Sequence, residues 1–156
     1  MAKEYKKTYL PLILWIILYT VIIIAGVILL DKYIAVSTKI FTDLTCLITI
    51  FTLDILFYIM YQGEYAYWIN GGPSFEKAKE AGSEARKKYL LNHLKIFLKM
   101  TILCLLYFVV SYFFKISFWI DFIVFLSATI IAAFFTIPIK FENYTNTDNR
   151  KEDNNG

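Results

Sequence analysis

Three aspartates, Asp43, Asp54 and Asp121, lie inside long apolar stretches of the chain, where an ionised carboxylate is costly unless it is paired, protonated or in contact with water. Asp54 stands seven residues from the nearer end of its stretch, roughly 10 Å deep at a helical rise of 1.5 Å per residue. Two roles suit it. It is either a proton or cation site, or a protonated group hydrogen-bonded to a Thr or Tyr of a neighbouring helix. Asp43 precedes it by eleven residues, about three whole turns, so the two share a helical face and outline, with Asp121, a carboxylate-lined path. The ordinary alternative is that Asp43 and Asp121 sit in first helical turns, capped by Thr42 and Ser117 and stabilised by the helix dipole.

Other constellations carry less chemistry. His93 is the only histidine, which excludes a multi-histidine metal site, and neither a Gly-x-Ser-x-Gly elbow nor a His-Glu-x-x-His pair is present. Two intramembrane aspartates also suit a peptidase dyad, but the Asn-rich and Asp-Arg motifs of four-helix signal peptidases are absent. Cys46 and Cys104 lie in apolar stretches without CxxC spacing and read as packing residues. Gly71-Gly72-Pro73-Ser74 precedes a helical pattern as a phosphate cradle would, but it lacks the Lys-Ser/Thr ending. No motif calls for a cofactor.

The elements that hold these residues are membrane-type helices. Of 156 residues 58% are apolar, above the roughly 45–50% of soluble domains, and the mean hydropathy is +0.55. The sequence predicts an all-α, polytopic integral membrane protein with four transmembrane helices, at about 9–30, 40–61, 96–114 and 118–139. Residues 1–141 form a single domain, and the polar stretch 142–156, with little to bury, is expected to be disordered. The basic start and first apolar run also suit a signal peptide with small residues at Ala35-Val36-Ser37. That run is longer than the 7 to 15 residues usual for such a core.

Lys and Arg fix the expected orientation. Twelve of them lie at the amino terminus, in the connection 62–95 and in the tail, against Lys32, Lys39 and Lys115 on the opposite side. Both termini and the long connection are therefore expected in the cytoplasm of a multi-pass cell-membrane protein. The ratio of 14 Lys to 2 Arg fits the coding bias of an AT-rich bacterial genome.

Within 62–95 an amphipathic cytoplasmic helix is expected between the second and third crossings, capped by Ser74 and continuing into the third, with a bend at Gly82-Ser83. Phe75, Ala78, Gly82, Ala85 and Tyr89 recur at offsets of 3 and 4, a narrow stripe of mostly small side chains that allows another helix to approach. Arg86, Lys87 and Lys88 belong to a basic surface suited to anionic lipid headgroups. Two further patterns suit helix contacts: a polar stripe of Thr42, Thr45, Thr49 and Thr52, and the small residues Ser127, Ala128, Ala132 and Ala133.

The expected function is that of a non-enzymatic membrane component, an accessory, assembly or protective subunit whose partners are the bilayer, anionic lipid and another protein or second copy. The alternatives are a small channel or a proton- or cation-coupled transporter using Asp54, and a lipid-directed intramembrane enzyme. The net charge of +3 follows topology and does not point to nucleic acid.

Overall fold

A computed structural model describes residues 5–33 and 37–145. The possible cleavage segment at Ala35-Val36 and the tail 146–156 lie outside the described residues, among which helices and turns occur and no strand. The helices are α1 (Leu10–Tyr33), α2 (Thr38–Gly63), α3 (Phe75–Glu80), α4 (Gly82–Phe114) and α5 (Phe118–Thr136), with a 3-10 turn at Ala66–Trp68. Four of them, all but α3, are long and apolar enough to cross a membrane.

Local chemistry sets most of the boundaries. Pro11 occupies the first turn of α1, where its missing N–H leaves no orphan. Ser74 caps α3 by accepting a hydrogen bond from the Lys77 N–H at 3.2 Å. The continuous helix expected across residues 75–114 is divided instead, because Gly82 takes φ +78°, a left-handed conformation that ends α3 and redirects the chain into α4. At 33 residues α4 is about 50 Å long, well beyond the roughly 30 Å that one crossing of a hydrocarbon core needs.

The start of α2 corrects one expectation. Ser37, not Thr42, is the cap, accepting from the Ile40 N–H at 3.4 Å, so Asp43 lies beyond the first turn and gains nothing from a terminal position. Asp121 does lie in the first turn of α5, although the Ser117 side chain makes no capping bond. The threonine stripe also behaves differently: Thr42, Thr45, Thr49 and Thr52 each donate to a carbonyl of α2 itself, one turn back. Only Thr49 also reaches across, with the Tyr19 hydroxyl at 3.2 Å.

Helices α2, α4 and α5 pack together, and α1 packs on α2 alone. Trp15 and Tyr19 stack in parallel, 5.6 Å between ring centroids, and Trp15 Nε1 donates to the Thr52 carbonyl at 3.1 Å. Ala132 is fully buried and Ala128 packs against the cluster of Leu47, Ile50, Cys104 and Phe125, so half of the small-residue face is an internal seam, while Ser127 and Ala133 face outward. After α5 the chain turns back at Pro138. Phe141 packs edge-on against Tyr89 with ring centroids 5.2 Å apart, and residues 142–145 form a helical turn in which the Tyr144 hydroxyl accepts from Asn92 Nδ2 at 2.5 Å. The Tyr144 ring gives this stretch something to bury, against the expectation for 142–145. The amino-terminal segment, the connection 64–81 and this turn all meet at one end of the bundle.

Candidate functional site

Polar side chains gather at three levels of the bundle. At the end that holds the long connection, α2 closes with Glu64 in a left-handed conformation, φ 59°, while the Tyr65 N–H bonds to the Met60 carbonyl at 2.9 Å. A residue with a Cβ is disfavoured there, and the Glu64 carboxylate is correspondingly well held. Arg86 donates to Glu64 Oε2 through Nε at 2.8 Å and Nη2 at 2.6 Å, and Ser83 donates to Oε1 at 2.5 Å. The remaining nitrogen of Arg86, Nη1, donates to the Ala78 carbonyl at 2.7 Å, and its guanidinium carbon lies 3.9 Å from the Tyr5 ring centroid. Burial alone would raise the Glu64 carboxyl, but the Ser83 and Arg86 hydrogen bonds and the charges of Arg86 and Lys87 outweigh it and hold the group below the usual carboxylate range.

The amino-terminal segment is strapped over this pair. Tyr5 donates its hydroxyl to the Glu64 carbonyl at 2.9 Å and stacks on Phe75. Tyr67 accepts from the Thr8 N–H and donates to the Thr8 carbonyl, both at 2.8 Å, and Trp68 Nε1 shares that carbonyl at 3.0 Å. The small-residue stripe serves the same junction: Ala78, Ala85 and Tyr89 are at most 2% exposed, packed with Met60, Ala66 and Phe141. Close approach is therefore used inside the chain at Ala78 and Ala85, whereas Gly82 has nothing within 4 Å of where a Cβ would stand and serves the turn by its positive φ. Arg86, counted in the sequence among the basic surface, is turned inward and neutralised; Lys87 and Lys88 remain about half exposed, beside Glu64 at 3.6 Å and Glu84 at 2.5 Å respectively.

No family model, no curated protein and no solved structure matches this chain. Its chemistry is therefore read from geometry alone.

At mid-bundle, the Thr101 hydroxyl of α4 donates to Asp54 Oδ2 at 2.6 Å, and Oδ1 has no hydrogen-bond partner among the described residues. At the far end, Lys39 of α2 reaches inward rather than to the surface. Its ammonium bonds to Asp121 Oδ2, to Ser111 Oγ at 2.7 Å and to Asp43 Oδ2 at 3.3 Å. Tyr107 and Ser111 donate to Asp121 Oδ1 at 2.9 and 2.6 Å, so side chains of α2, α4 and α5 close one network. Asp43, Ser111 and Asp121 are no more than 1% exposed.

Between these two levels the carboxylate-lined path is interrupted. Leu47, Ile50, Cys104 and Phe125, all buried, fill the layer separating Asp54 from Asp43 and Asp121. A Thr of a neighbouring helix is among the partners the sequence suggests for Asp54, although not Thr101 by number, whereas Lys39, Tyr107, Ser111 and Glu64 are missed as partners. The i,i+4 spacings of Lys39 with Asp43 and of Tyr107 with Ser111 were signals for two of these contacts; the meeting of Asp54 with Thr101 has no local signature.

Proposed function

We propose that this chain is a non-enzymatic component of a cell membrane that works by offering a helix face to another membrane helix, of a partner protein or a second copy. The observation that carries the reading is the one-sided attachment of α1, which meets α2 and no other described helix. Gly26 sits on this helix with nothing within 4 Å of where a Cβ would stand, so no contact among the described residues accounts for a glycine there. In lipid, close approach at small residues is a main source of helix association, because apolar surface alone gives no preference for protein over lipid. An intact apolar layer between the carboxyl levels favours this role over a conducting path.

In this reading both termini and the connection 62–95 are cytoplasmic, and α3 and the start of α4, two helices joined at Gly82, present a basic face to the membrane surface. The exposed Lys77, Lys79, Lys87, Lys88 and Lys95 then face anionic headgroups, each adding about 1 kcal/mol of attraction. Reporters fused after Gly156 and within residues 76–90 are expected to read cytoplasmic, and one at Val36 external. An external reading within 76–90 reverses the arrangement.

The helix-face reading is tested by Gly26→Leu. The added side chain meets open space in the isolated chain, so insertion and thermal unfolding are expected to remain at wild-type values, while cross-linking in native membranes falls at least tenfold. Wild-type cross-linking yields from the variant would remove α1 as the contact face.

A further inference from the structure

We infer that the far-end network of α2, α4 and α5 is a binding site for one proton, held by the Asp43 and Asp121 carboxyls together. The inference comes from a charge count and does not depend on the helix face proposed above. Two carboxyls and one ammonium meet there, and Asp43, Asp121 and Lys39 interact with no other charged side chain among the described residues. With both carboxyls ionised the site would hold one uncompensated negative charge, although Asp43 and Asp121 are no more than 1% exposed. Two neighbouring carboxylates do not both stay ionised away from water when a single cation serves them. One cation is missing.

The surroundings of the two carboxyls differ, and the difference places the proton. Asp121 lies in the first turn of α5, where the helix dipole favours a negative charge, and both of its oxygens take donors: Tyr107 and Ser111 on Oδ1, and Lys39 on Oδ2. Asp43 has only the Lys39 ammonium, 3.3 Å from Oδ2, and that ammonium is already shared with Asp121 and Ser111. Its Oδ1 is buried with no hydrogen-bond partner among the described residues. Asp43 is therefore the poorer place for a negative charge. A proton needs no room of its own, which suits an enclosed oxygen. The two carboxyls also stand within hydrogen-bonding reach of each other, so the acid of Asp43 has the Asp121 carboxylate as its acceptor and adds a bond between α2 and α5.

Infrared spectra of the full chain in phosphatidylcholine vesicles at pH 7 test the count. Carbon-13 in the side-chain carboxyl of aspartate identifies the bands, and a background carrying Asp31→Asn, Asp54→Asn, Asp148→Asn and Asp153→Asn leaves Asp43 and Asp121 as the only aspartates. Acid and carboxylate bands of about equal weight are expected, since the pair shares one proton. In that background Asp121→Asn leaves one carboxyl for one ammonium, so Asp43 should give up its proton and the acid band should vanish. Adding Lys39→Met should bring the band back, because the remaining buried carboxyl then has no counter-charge. An unfolded chain, with its carboxyl in water, gives no such return. Two carboxylates in the four-Asn background, an acid that persists after Asp121→Asn, or no acid after the further Lys39→Met change each overturns the proton site. So does an unsubstituted chain with no aspartic-acid band at all, whatever the variants show.

Discussion

Glu64→Gln is expected to lower stability by about 3–5 kcal/mol, because it leaves the Arg86 guanidinium buried with its counter-charge removed. Arg86 is 6% exposed, and its remaining contacts are peptide carbonyls of residues 78 and 79 and the face of Tyr5, none of which carries a formal charge. The double variant Glu64→Gln/Arg86→Met removes both charges and is expected to lose clearly less than the sum of the single losses. Guanidinium unfolding in detergent micelles measures all four corners of the cycle. Strict additivity would mean that the pair does not hold the loop junction together.

The same pair gives a pH dependence of definite sign. The folded Glu64 carboxyl lies below its unfolded value, so the folded state binds its proton less readily, and the contribution is complete above the ordinary carboxylate pKa of about 4.3. It declines as pH falls through the depressed folded value. The difference between wild type and Glu64→Gln should accordingly be largest near neutrality and shrink on acidification below pH 4. A difference that grows in acid would contradict the assignment.

Much of this architecture is legible in sequence, because lipid imposes a simple rule: about 20 apolar residues for each crossing, with polar groups needing a stated reason. Long apolar runs yield α1, α2 and α5 to within a few residues, and Ser74 marks a helix start by its side-chain chemistry alone. Legibility fails where a polar residue serves a distant partner. The sequence counts Lys39 with Lys32 and Lys115 among the basic residues of the outer side, and nothing near it announces Asp121, 82 positions away. The company of Lys87 and Lys88 marks Arg86 for a basic surface, yet one helical residue in three or four faces inward, and this one meets Glu64. The small-residue stripe was legible as a place of close approach, but not as one occupied by the chain's own Met60, Ala66 and Phe141.

Lys39 carries the other large effect. Its ammonium has three N–H donors and three acceptors around it, on Ser111, Asp43 and Asp121, so it is saturated and its side chain is only 22% exposed. Lys39→Met removes the one positive charge from this network and leaves two buried carboxyls, Asp43 and Asp121, held together by α2 and α5. At least one must then take up a proton or draw in water, and the expected loss is about 3–5 kcal/mol. Charge, rather than bulk, is the claimed cause, so the cure is specific. Adding Asp43→Asn should recover part of the loss. Adding Asp121→Asn as well should bring the triple variant close to wild type, since an uncharged, well-filled site of similar volume often matches a buried ionic one. Unfolding in micelles measures each step. A single Lys39→Met variant within about 1 kcal/mol of wild type would instead place the lysine at the surface and leave the α2–α4–α5 packing to the apolar layer of Leu47, Ile50, Cys104 and Phe125 alone.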